Sequence, residues 1–198
     1  MGLSTLPIEW EDVENALLRW FTDSTDLPCV IWADQDAPQP LYPYGVIKII
    51  AGPTKIGGVD ETRIVALDPE PAIPALPIEL LKEGPREITL SCQINVGPPD
   101  DQNSSEHSRS RMSAAQAALG LPSFTQPLRE AGLAVIQELP ISDFSIQIAD
   151  LWVSRSQMDV RFGLTSSVRE KSSVIETVEI TAGDPFNLNK EKFGGPTP

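Results

Sequence analysis

Cationic side chains, histidine and cysteine are all scarce in this chain, and each shortage removes a class of function. Fifteen Lys and Arg stand against 28 Asp and Glu, giving a formal net charge of −13. Proteins that grip nucleic acid do so with cations that displace counterions from phosphates, so this balance argues against stable DNA or RNA binding. The single histidine, His107, lies beside Glu106 in a polar stretch with no Ser or Cys motif to pair with. It reads as a surface residue at a helix start. The two cysteines, Cys29 and Cys92, each sit in an apolar, strand-like run and read as reduced, core-type thiols. No nucleophile elbow, His-Glu-x-x-His, P-loop, dinucleotide glycine pattern or metal-spaced Cys pair occurs. No catalytic residue, metal site or cofactor is therefore expected. The apolar runs fall short of the roughly 20 residues a membrane span needs, and residues 1–5 lack the basic-then-apolar plan of a signal peptide. The chain is expected to fold in a cytoplasm.

What the chain does have is enough apolar material for one core, 40% of 198 residues, and 19 prolines placed in clusters. One domain over 1–182 is expected, with 183–198 a flexible Gly/Pro tail. Trp10, Val13, Leu17, Trp20 and Phe21 recur at helical spacing, which predicts an amphipathic helix over 8–22 that covers a sheet. Strands are predicted at 28–33 and 44–51. Residues 88–96 alternate strictly between apolar and polar, the pattern of a strand with one buried face. Helices are predicted at 106–119 and 123–131, and further strands at 133–139, 142–153, 157–166 and 173–182. The stretch 52–86, with prolines at 53, 69, 71, 74, 77 and 85, offers a short strand near 63–67 and a helical turn near 78–82. Its length marks it as an extended arm or hairpin that reaches a neighbouring subunit. The whole is an α+β pattern: a largely antiparallel β-sheet with an N-terminal helix and central helices packed on one side.

Notable polar residues gather on a stiff loop. Pro38, Pro40 and Pro43 fix their own φ and bias the residues before them toward extended backbone, so the loop loses little entropy when something docks on it. Asp34 and Asp36, with Gln35 between them, could in principle pair for acid–base work or hold a hard cation. Two acids at i, i+2 are weak evidence for either; turn stabilisation is the favoured reading, and docking is the next. Arg109 and Arg111 fall early in the 106–119 helix, where the dipole disfavours cations, a hint that they face acidic groups elsewhere.

The order of these elements carries a family likeness. The run Trp32-Ala33-Asp34-Gln35-Asp36, the Pro38-Gln39-Pro40 turn and the strand led by Tyr42-Pro43-Tyr44 resemble the opening of the tail terminator, or neck terminator, proteins of tailed bacteriophages. The likeness continues through 87–96, 105–131 and the run 141–162 with Arg155-x-x-Met158-x-Val160-x-Phe162, covering most of 8–182. It implies a non-enzymatic virion protein of the tail or neck, assembled in the bacterial host cytoplasm. Such a protein caps the tail tube as a homo-oligomeric, hexameric ring, ends tube polymerisation, and offers the head–tail connector a docking surface. DNA would pass through the lumen without specific binding, and no membrane is involved.

On that basis Trp32, Asp34, Gln35, Asp36, Pro38, Pro40, Tyr42, Tyr44, Arg109 and Arg111 are expected at interfaces with the tube protein, the connector or a second copy. Asp100, Asp101 and Glu106 are expected to face the lumen, where carboxylates repel phosphates. Another reading is a head-completion or head-to-tail joining protein, and a more distant one is a small hydrolase or ligand-binding domain.

Overall fold

The computed structural model describes residues 7–34, 38–66, 77–97, 107–148 and 151–173. The first helix, α1 (Trp10–Thr25), buries Val13, Leu17, Trp20 and Phe21 and leaves Trp10 half-buried at its start. Glu11 and Asp12 favour its N-terminus through the dipole. It ends where Asp26 turns left-handed, φ 51°, and returns its N–H to the Thr22 carbonyl.

Three strands follow: β1 (Val30–Trp32), β2 (Tyr44–Lys55) and β3 (Glu61–Ala66). Next come the long β4 (Pro77–Val96), the helices α2 (Ser108–Ala118) and α3 (Pro122–Glu130), and β5 (Ala134–Glu138). Two short pieces, β6 (Ser142–Asp143) and β7 (Ile146–Ile148), precede the last described strand, β8 (Leu151–Ser173). The sheet runs β1-β2-β4-β8-β5, with β3 on β4 and both β6 and β7 on β8. Among the described residues only the β1–β2 pair is parallel. The architecture is α+β, as the residue pattern predicts.

Alternation on β4 decides where the core sits. Ile88, Leu90, Cys92 and Ile94 point to one face, join Met158, Val160 and Phe162 of β8, and pack under all three helices. Trp20 meets Phe162 edge-on with ring centroids 6.0 Å apart. Small residues let α2 lie close, with Ala115 and Ala118 buried beside Met112. Its first residue, Ser108, is tied to β8 by hydroxyl contacts to Ser154 (2.9 Å) and Ser156 (2.7 Å). The opposite face of the sheet carries Glu87, Thr89, Ser91, Gln93 and Asn95.

Beyond the helices, β4 continues as an arm. From Arg86 to Pro77 it is flanked by β8 and, from Glu83, by β3, over roughly 30 Å at about 3.3 Å per residue. No residue of 77–86 belongs to the contiguous core, although Leu81 is buried locally. The helical turn expected at 78–82 is thus a strand, because ladder partners on both sides outweigh local preference. The connection expected over 52–86 is mostly ladder as well.

At the arm's root β2 slips register twice between Ile49 and Thr54, and Gly52 sits at φ 102° in that irregularity. Gly84 makes room for Asp60, whose carboxylate lies where a Cβ would be. Two further expectations change. The strand expected over 142–153 is split into β6, β7 and the start of β8, and the strand expected at 157–166 is the middle of the longer β8. Residues 174–182 and the tail 183–198 lie outside the described residues.

Candidate assembly surface

Three features of the surface stand out. The first is a cavity of about 430 Å³ on the polar face of the sheet, beneath the proline loop. Ile31, Val46 and Ile50 supply its apolar floor, Pro40 and Tyr44 a wall, and Lys48 and Arg155 its cations. Tyr44 is buried, accepts a hydrogen bond from Gln39 Nε2 at 3.0 Å, and stands 5.4 Å from the Tyr42 ring. Burial pushes its hydroxyl pKa up. Lys48 pairs with the exposed Asp34 at 2.9 Å. The floor continues as a polar zipper along β4 and β8. Arg155 donates to Gln93, Gln93 to Gln157 (3.2 Å), Gln157 to Asp159 (3.1 Å), and Arg161 to Glu87 (2.7 Å).

The second feature is the arm and its anchor. Arg86 holds Asp60 with two parallel hydrogen bonds of 2.9 Å, and Lys55 and Lys82 approach the same carboxylate at 3.4 and 3.8 Å. The Arg86 hydrogen bonds, with Lys55 adding to them, hold its pKa down at about 2 against the partial burial that opposes them. The third feature is an apolar ribbon at the other end of β8. Trp152 is 63% exposed on one face of the β7–β8 hairpin, Ile146 42% on the other, and Phe144, just before the hairpin, 50%.

The residues expected at interfaces are distributed unevenly. Asp34, Pro40, Tyr42 and Tyr44 come together around the cavity, while Pro38 is exposed nearby. Trp32 turns inward and packs against the core. Gln35 and Asp36 lie outside the described residues, as do Asp100, Asp101 and Glu106. Arg109 is exposed and pairs with Asp143 at 3.7 Å, beside the Ser145 hydrogen bonds that chiefly lower the Asp143 pKa. Arg111 is committed within the chain. Its Nη1 donates to the carbonyls of Thr25 and Asp26 at 2.7 Å each. The cation misplaced for its own helix supplies the positive end that α1 lacks, since α1 has no basic residue in its last turn. Lys48, Gln93, Arg155 and Trp152 are the residues sequence reasoning passed over. Gln93 lay on the polar half of the 88–96 alternation, whereas nothing local marked Lys48, and Arg155 falls between the strands predicted at 142–153 and 157–166.

Cys29 and Cys92 are free thiols, and burial holds the Cys92 thiol well above its usual range. Among the described residues no group of three or more His, Cys, Asp or Glu is placed to hold a metal ion, and no helix is long and apolar enough to cross a membrane.

A stiff loop over a groove, an uncovered arm and an exposed aromatic hairpin define a class of protein that works by contact with other proteins. The family model of the phage neck terminator protein matches residues 11–189, and the chain belongs to that family of structural proteins of the phage neck. No curated protein matches the chain.

Proposed function

We propose that the protein closes the end of the tail tube as a ring of identical copies, probing one neighbour with its arm and presenting another surface to the head–tail connector. Residues 1–182 act in this as one unit. The observation that carries the reading is the arm. A ribbon of two or three strands without helices over it gains little stability alone, so a neighbouring copy that covers it is the economical partner. Each copy then both gives and receives an arm, a heterologous contact that closes by rotation, with a hexamer as the expected state. The cavity and its proline loop, the arm and the 97–106 loop carry the contacts to copies, tube protein and connector. The net charge of −13 suits a channel that DNA crosses without adhering.

The test is electron microscopy of particles from a phage with an early stop codon in this gene. Overlong tubes without heads are expected. Free tails of normal length would instead assign the protein to head–tail joining, and intact infectious virions would refute an assembly role. Reversing Asp100, Asp101 and Glu106 to Lys slows DNA passage if these acids line the channel, and unchanged ejection would remove them from it.

A further inference from the structure

We infer that the cavity beneath the proline loop is the socket for the arm of the neighbouring copy, filled by the segment 67–76 that joins β3 to β4. This rests on the ring reading above. The segment reads Leu67-Asp68-Pro69-Glu70-Pro71-Ala72-Ile73-Pro74-Ala75-Leu76 and lies outside the described residues. Its three prolines limit the entropy lost when such a peptide is bound in extended form, and grooves with aromatic walls are the recurrent receptors for proline-rich peptides.

The cavity complements that chemistry. Tyr44 and Pro40 form its wall, Ile31 and Ile50 take apolar side chains such as Ile73, and Lys48 and Arg155 meet Asp68 and Glu70. A chain this acidic has few places where carboxylates are welcome, and this cavity is one of them: Arg155 is hydrogen-bonded to the neutral Gln93, and Lys48 can exchange its exposed pair with Asp34 for the incoming carboxylate.

A protomer cannot fill its own socket. Between Pro77 and Ser91, which lines the cavity, β4 runs roughly 46 Å at about 3.3 Å per residue. Its pairing with β8 has no irregularity that would fold the arm back. The connecting segment is anchored at both ends, at Ala66 and Pro77, so its middle reaches at most about 18 Å, half of ten residues at about 3.6 Å each. The occupant therefore comes from a second copy. Donor and socket lie at different places on one molecule, so the contact propagates head to tail until a ring closes.

The experiment uses two full-length proteins, Ala72→Cys and Ala33→Cys, each with Cys29→Ser so that the half-buried native thiol does not compete. Cys92 is fully buried and stays. The proteins are mixed under mild oxidation, run on a non-reducing gel and weighed by light scattering. A disulfide-linked pair of chains that requires both variants is expected. A ring-sized species without that mixed product overturns the socket and leaves the ring standing. Monomers alone, without the product, overturn both. A chain carrying both substitutions that cross-links only within itself refutes the reach argument. Glu70→Lys should weaken association roughly fivefold, the scale of one exposed ion pair, and Lys48→Glu in the same chain should restore it.

Discussion

Substituting Gly52 by Ala perturbs the root of the arm at one atom, and its cost can be worked from two separate effects. At φ 102° an L side chain is strained, which costs about 1–3 kcal/mol. The added Cβ would also overlap the backbone carbonyl oxygen of Glu87 and crowd the Ile88 Cα at 2.9 Å. Neither is the yielding end of a flexible side chain. Forcing that space open adds about 1–3 kcal/mol, as overpacking generally does. The sum is about 4 kcal/mol, or a fall in Tm of roughly 8–16 °C for a chain of this size. Urea unfolding followed by circular dichroism and by tryptophan fluorescence measures it, and coincident curves license the two-state treatment. The control is Gly58→Ala, where an added Cβ meets nothing within 4 Å. That variant should lie within about 0.5 kcal/mol of the parent or slightly above it. If Gly52→Ala were as stable as Gly58→Ala, the slipped register of β2 would not depend on this glycine and the reasoning would fail.

The pH dependence of the arm should follow Asp60. Its folded pKa, about 2, lies below the ordinary aspartate value of about 4, so the anchor's contribution is full above about pH 4 and lost as pH falls through about 2. Asp60→Asn should flatten that acid limb in denaturation curves taken between pH 2 and 7, and an unchanged limb would show that the cluster contributes nothing. Arg111→Met should cost about 1–3 kcal/mol through the loss of charged hydrogen bonds to two carbonyls, with Arg111→Lys recovering part of it; equilibrium unfolding reads both. Trp152→Ala should leave stability within about 0.5 kcal/mol of the parent because the side chain is largely exposed, while reducing the yield of completed virions in a complementation assay.

Much of the body was legible because its periodicities are clean. Alternation at Ile88, Leu90, Cys92 and Ile94 named both the strand and its buried face, and the spacing of Val13, Leu17 and Phe21 named the helix above it. The arm was only half legible, because prolines were read as breakers. Pro85 sits inside β4, yet its carbonyl accepts from Ile56 N at 3.3 Å, so its missing N–H points toward the turn at 56–60. There β2 has ended at Lys55 and β3 has not begun, and no ladder partner needs a donor. The cavity was legible only in part. Asp34, Pro40, Tyr42 and Tyr44 stood out locally, but Gln93 and Arg155 join them through strand pairing across 62 positions of sequence. Arg111 misled for a related reason: its acceptors belong to a helix end 85 residues away.

The length of β8 has a mechanical consequence. From Leu151 in the apolar ribbon to Ser173 at the arm, one strand crosses the whole body, and its 20-residue pairing with β4 has no slip. Tension along that axis loads the cross-strand hydrogen bonds together in shear, whereas a pull across it would open them one after another like a zip. The molecule is thus stiffest along β4 and β8, and the strand pair acts as a tie-rod between the ribbon and the arm.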